Sequence, residues 1–277
     1  MDEKPQIRVG GMVWRVGEML DFYEQIAWFQ EQGLDGIAFH TAPSFGGKHA
    51  SFDVRMAKTA DRERLKQAVA PFAEVSVHAE FDNYDIILCS PNKHVRRASV
   101  EALRSTIDLA SSLEAPVVTV HDGVTRSEAP PKVRREALRR SVADLAELAR
   151  RAHVTVGSEL TDDFDLVLDA EGPVGVTLDV GHVHMHWATA GRESDSLGDL
   201  IRGLGKRLVH LHVHDWDGQR DHLAIGAGRI DFTDMVEGLV EIGYDGMLCL
   251  ELSSDATVPA DYPRSAEVLR SLIEQRQ

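Results

Sequence analysis

The chain has 277 residues, enough for one large α/β barrel or two ordinary domains, and its 43% hydrophobic and 27% charged residues are ordinary for a soluble globular protein. A formal net charge of −15 argues against a polyanion-binding surface, and no apolar run reaches membrane-spanning length, so neither a nucleic acid nor a membrane is expected as partner. The acidic, proline-containing start MDEKPQIRVGG is unlike a signal peptide, and two cysteines, Cys89 and Cys249, make no disulfide framework; a cytoplasmic protein is the expectation.

The elements follow from apolar periodicity. Residues 7–14 read as strand one, with Ile7, Val9 and Val13 on one parity and Met12 and Trp14 on the other. Residues 18–32 read as an amphipathic helix closed by Gly33. Strand two, 36–41, carries His40 near its end, and a loop rich in Pro, Ser and Gly (43–47) follows. Residues 59–70 are expected helical, with Asp61 as cap. Strand three is 74–81 (EVSVHAEF), and a long helix, 91–113, opens with Ser90 as cap and Pro91 in its first turn. Strand four is 115–122, then comes a basic-faced helix over 131–152; strand five is 153–160, with a short helix near 163–170. Strand six is 174–181, followed by a helix at 196–204. Strand seven is LVHLHVH (208–214), with a helix at 232–242 ending at Gly243; strand eight is 246–253 and the last helix 261–275.

Eight strand–helix units with no linker between them predict a single α/β domain over 1–277, a (β/α)8 TIM barrel. A doubly wound open sheet is the competing fold. It would usually carry a glycine-rich dinucleotide turn after strand one, and here Gly10 and Gly11 lie within the strand.

Side-chain parity then points to a site. In strand seven, Val209, Leu211 and Val213 share one face, and His210, His212 and His214 the other. From strand three to strand eight, each non-aliphatic face carries at least one ionisable group toward its C-terminal end, and the set singled out is His78, His121, Glu159, Asp179, His212 and Glu251. A lone strand histidine is more often a hydrogen-bonded core residue, and a lone strand-end glutamate is more often solvated. Six of matching parity are different. The C-terminal rim is where TIM-barrel sites form, three carboxylates buried together are very costly without a cation, and three imidazoles with three acids suit a divalent metal.

Around that set stand further candidates. His182, three residues past Asp179, is one; His184 and His186 are expected at the surface of the same loop. His222, beside Arg220 and Asp221 after strand seven, is a candidate for metal or substrate. His210 lies one layer deeper, and His214 nearer the mouth. Trp14 and Phe81 are candidate pocket walls; Trp14, His40, His214 and Arg220 make up the expected substrate-contacting set. His49, His94 and His153 are expected to be structural or on the surface.

The chain resembles the xylose-isomerase-like TIM barrels, which include sugar isomerases, epimerases and endonuclease IV. The resemblance is carried in family order by VHAEF (77–81), VHDG (120–123), SEL (158–160), GVTLDVGHVH (175–184), HLHVHDWDG (210–218), RDHLAIGAGRIDF (220–232) and YDGMLCLEL (244–252). In the epimerase branch it implies a Mn²⁺-type ion, with Co²⁺, Mg²⁺ or Zn²⁺ as alternatives, held by Glu159, Asp179, His212 and Glu251. Glu159 and Glu251 would then exchange a carbon-bound proton through a metal-stabilised enediolate, with His182 and His222 on substrate hydroxyls. In the endonuclease branch, His78 and His121 would join a multi-zinc site. Against that branch stand Leu160 after Glu159, where Asn is usual, and Asp221-His222 adjacent rather than spaced as Asp-x-His.

The resemblance therefore implies a metal-dependent isomerase or epimerase acting on a sugar, sugar phosphate or polyol, in a homodimer or homotetramer. A dehydratase or lyase with the same metal site is the first alternative. A phosphodiesterase is the second, disfavoured by the charge. A catalytically silent sugar- or protein-binding barrel would be expected to lose one of the two glutamates.

Overall fold

The structure is a computed structural model describing residues 6–43, 49–123, 127–253 and 257–277. In it eight parallel strands close in sequence order: β1 (Arg8–Val13), β2 (Gly36–His40), β3 (Glu74–His78), β4 (Val117–His121), β5 (Thr155–Glu159), β6 (Val174–Asp179), β7 (Leu208–Val213) and β8 (Met247–Leu250). The ring shuts where β1 pairs with β8, Gly10 opposite Cys249. This is the expected (β/α)8 barrel, and closure excludes the open sheet.

Alternation divides the strand residues as parity required. Val77, Val118, Val156, Leu178, Leu211 and Leu248 face outward into the layer under the helices. A separate inner cluster of Met12, Ala38, Met247 and Cys249 plugs the barrel floor. Met247 fits there because Gly10 and Gly36 lack side chains: a Cβ on either would stand 2.1 or 2.3 Å from its Sδ. Above the plug Thr119 and Thr177 share a hydrogen bond of 3.0 Å. Neither cysteine is in a disulfide; Cys89 lies on a loop with its Sγ 2.9 Å from the Gly123 carbonyl.

The helices are α1 (Phe22–Glu31), α2 (Thr59–Val69), α3 (Lys93–Ser112), α4 (Pro131–Ala152), α5 (Asp165–Leu168), α6 (Val180–Ala190), α7 (Leu197–Leu204), α8 (Phe232–Glu241) and α9 (Asp261–Glu274). Several starts differ from expectation because a better cap lies further on. Asp21, not the region of Glu18, opens α1, its carboxylate accepting from Tyr23 and Glu24 N–H at 2.9 Å. Asn92, not Ser90, opens α3, accepting from the His94 N–H at 3.0 Å. Asp61 sits inside α2 and accepts from the Lys58 N–H at 2.9 Å. Of the loop read at 43–47, residues 44–47 lie outside the described residues.

The largest difference follows β6. Residues 180–190, read as a strand end and a loop, form α6, capped by Asp179. Val180, Val183 and Trp187 give it a buried stripe at helical spacing. Among the described residues no helix is long and apolar enough to cross a membrane.

Candidate active site

At the C-terminal mouth of the barrel a cavity of about 240 Å³ is lined by residues from many strands and rim loops, among them Trp14, His40, His78, His121, Glu159, His182, His222 and Glu251. A larger groove, about 560 Å³, lies elsewhere around Arg8, Glu74 and Asp245, where Arg8 pairs with both acids; the groups of parity-matched type converge only on the smaller cavity.

His212 is the hub. Its Nδ1 lies 3.1 Å from Glu159 Oε2 and 3.1 Å from Glu251 Oε2, and the ligand atoms of Glu159, Asp179 and His212 all fall within 4.8 Å of one another. His121 Nε2 is 3.2 Å and His78 Nε2 3.7 Å from Glu159 Oε2, and the two imidazoles are 3.2 Å apart. His182 comes from α6, its Nδ1 3.2 Å from Asp179 Oδ2 and 3.7 Å from Glu159 Oε1.

The charges balance locally. Burial opposes ionisation of Glu159, but His121 and His212 override it and hold its carboxyl well below the usual range. Burial likewise opposes the charge on Glu251, and His212 pulls it well below. Burial disfavours a charged His212, yet Glu251 and Glu159 hold it well above its ordinary value. His182, disfavoured by burial but facing Asp179 and Glu159, is pushed up to about 9.

The donor set fits a divalent cation on a direct test. Glu159 Oε2, Asp179 Oδ2 and both nitrogens of His212 are buried without a hydrogen-bond partner, although oppositely charged atoms stand close by. Buried polar atoms are rarely left so. Donors gathered around one point but misaligned for bonding to one another suit coordination by a third party.

The remaining expected residues divide. His222 reaches the cavity on the β7–α8 loop, with Trp14 5.8 Å away between ring centroids. His40 is buried with both nitrogens unpartnered, its ring 4.2 Å from that of His78. His210 lies deeper, 5.3 Å from His212 between centroids, with both nitrogens also unpartnered. His214 is fully buried behind Asp179, with Nε2 3.0 Å from Asp179 Oδ1. Arg220 is not brought in: its exposed guanidinium forks onto Asp217 at 3.0 and 3.1 Å. His49, expected to be structural or superficial, is exposed but lines the cavity mouth 5.1 Å from Trp14. Tyr84 joins it in the lining, unforeseen; its place on a loop after a strand was the available signal, since those loops build the mouth.

The β7–α8 loop is shaped by Asp215. This buried carboxylate accepts from the backbone N–H groups of Trp216, Gly226, Gly228 and Ile230 at 2.7 to 3.2 Å.

Residues 26–272 match the family of xylose isomerase-like TIM barrels. The chain belongs to that family. Among its relatives, an uncharacterised protein of Methanocaldococcus jannaschii is 31% identical over 218 residues, 73% of this chain and 70% of its own. Fructoselysine 3-epimerase of Shigella flexneri is 23% identical over 88% of this chain and 91% of its own. The fold of a D-tagatose 3-epimerase-like protein matches with a TM-score of 0.77 at 23% identity, over 97% of this chain and 98% of that one. The family match spans β2 to β8 and thus every residue of the metal-type donor set.

Proposed function

We propose that the protein is a divalent-metal-dependent sugar epimerase or isomerase that moves a proton at a carbon next to a carbonyl. The observation that carries this reading is the placement of Glu159 and Glu251, on different strands, against one nitrogen of His212. Relatives named fructoselysine 3-epimerase and L-ribulose 3-epimerase support a ketose-like substrate and exchange at its third carbon.

Glu159, Asp179, His212 and Glu251 would hold the ion, Mn²⁺ first. Bound there, it supplies Lewis-acid stabilisation of the negative charge that develops on substrate oxygen. The two glutamates remain ionised at neutral pH and can act as bases. One takes the proton from the sugar face it meets and later releases it to solvent; the other, once it has taken up a proton from solvent, delivers it to the opposite face, which inverts the centre. His182 and His222 donate to substrate hydroxyls, and Trp14 and Phe81 cover the apolar face of the sugar and exclude water. With departure of a hydroxyl in place of reprotonation, the same first step would make a dehydratase.

A second reading has its own support. His78, His121 and Glu159 form another group with ligand atoms within 4.8 Å, which suits a further ion and phosphodiester hydrolysis. The net charge of −15 weighs against a nucleic-acid substrate. Incubating the Mn²⁺-loaded protein with a panel of ketoses in D₂O decides: carbon-bound deuterium is expected in at least one sugar. No exchange in any sugar that binds, together with nicking of abasic DNA, would replace the first reading with the second.

A further inference from the structure

Two bonds hold His214, which no part of the mechanism above uses, and a third reaches its partner Asp179. The His222 backbone N–H donates to His214 Nδ1 at 2.8 Å. His214 Nε2 lies 3.0 Å from Asp179 Oδ1. Asp179 Oδ1 also accepts the His182 N–H that caps α6, at 2.7 Å. A backbone N–H can only donate, so Nδ1 must be the acceptor and the ring proton sits on Nε2, where it donates to Asp179. The Asp215 carbonyl 3.3 Å from Nδ1 is then a contact between two acceptors, not a bond.

The surroundings fit a built position. The ring is fully buried and stacked on that of His222, centroids 4.0 Å apart and planes 8° apart. Its space exists because residue 181 is glycine: a Cβ there would stand 1.9 Å from His214 Cε1. His222 has a left-handed backbone, φ +51°, a conformation costly for a residue with a side chain unless its surroundings hold it.

We propose that His214 is a positioning residue that ties Asp179 to the loop carrying His222, so that Asp179 keeps only Oδ2 for the cation and His222 is fixed over the cavity. This rests on the metal-dependent reading above. It also removes His214 from the ligand group it would otherwise share with Asp179, His182 and His222. Outer-sphere partners of this kind are worth about 10–100-fold in metal affinity.

Two half-mimics separate the two bonds. His214→Gln places an amide N–H near the Nε2 position, keeping the bond to Asp179 and losing the acceptor for His222. His214→Asn does the reverse. Mn²⁺ alone is titrated into the whole protein, free ion being read by electron paramagnetic resonance, and the His222 amide is followed by hydrogen exchange. His214→Asn is expected to weaken Mn²⁺ about 10–100-fold while His222 stays protected. His214→Gln is expected to keep Mn²⁺ affinity within about threefold while the His222 amide exchanges faster. Equal changes in both variants, or none in either, overturn the tie. A wild-type protein that binds no Mn²⁺ overturns the metal reading itself, and the tie with it.

Discussion

Glu159 and Glu251 approach the same imidazole nitrogen from β5 and from the end of β8, each with Oε2 3.1 Å from His212 Nδ1. Two carboxylates this close repel, and burial aggravates it; His212 between them, with His121 beside Glu159, is what keeps both ionised. Replacing either with the neutral isostere should therefore leave the fold intact and remove the chemistry. For Glu159→Gln and Glu251→Gln we expect carbon-proton exchange in D₂O to fall by about 10²–10⁴-fold, with circular dichroism unchanged. Exchange at the wild-type rate in either variant would remove that residue from the reaction.

Metal removal should be visible without substrate. An ion present at 100 times its dissociation constant adds about 2.7 kcal/mol to the folded state, and a chain of this size gains about 2–4 °C per kcal/mol. Chelation followed by dialysis should thus lower the melting temperature by about 5–10 °C, and Mn²⁺ should restore it. Asp179→Asn should abolish the Mn²⁺-dependent part. A melting point indifferent to chelator and to added Mn²⁺ would count against a bound ion.

Gly181→Ala tests the packing around His214. An alanine in a helix ordinarily stabilises relative to glycine by up to about 1 kcal/mol. Here the new methyl meets the His214 ring at 1.9 Å, and overpacking of this sort costs about 1–3 kcal/mol. The sign should invert: lower stability and weaker Mn²⁺ binding. A stabilised variant with unchanged affinity would show that the ring has room to spare.

Glu80 offers a pH test away from the chemistry. It is buried, one oxygen 3.2 Å from a guanidinium nitrogen of the half-exposed Arg55 and the other without a partner. Burial raises its carboxyl above the ordinary value, and Arg55 pulls it back down. Arg55→Ala should raise it further. A raised carboxyl favours the protonated folded state, so stability is retained at low pH and lost as pH rises through the folded value. The cost of Arg55→Ala should be small near pH 4 and grow to about 1–3 kcal/mol by pH 7, discounted for the exposure of the guanidinium. Urea unfolding of both proteins at the two pH values checks this; an identical difference at both would refute it.

The barrel and its metal-type donor set were legible because strand alternation has an exact period. Val77 and His78, or Leu211 and His212, cannot exchange faces without inverting the core. Helix α6 was not legible for a related reason. His182, His184 and His186 alternate with Val183 and Met185 and so imitate a continuing strand, while the helical stripe of Val180, Val183 and Trp187 lies beneath that pattern. Parity also placed His214 inward but could not show what stands behind it. That depended on a loop eight residues away folding back to offer the His222 N–H. Arg220 was misjudged on proximity alone: two residues from His222 in sequence, its side chain turns to Asp217, which also receives its backbone N–H at 2.8 Å.

Asp215 satisfies four amides of its own segment and asks nothing of a guest in the barrel. The segment is therefore a self-supporting cassette with His222 on its inner edge and residues 217–220 at its tip. A tip of another length or composition could be grafted onto that frame without disturbing the inner edge. None of residues 217–220 lines the cavity, so the tip is the place to attach a label or an affinity handle while His222 stays where it is.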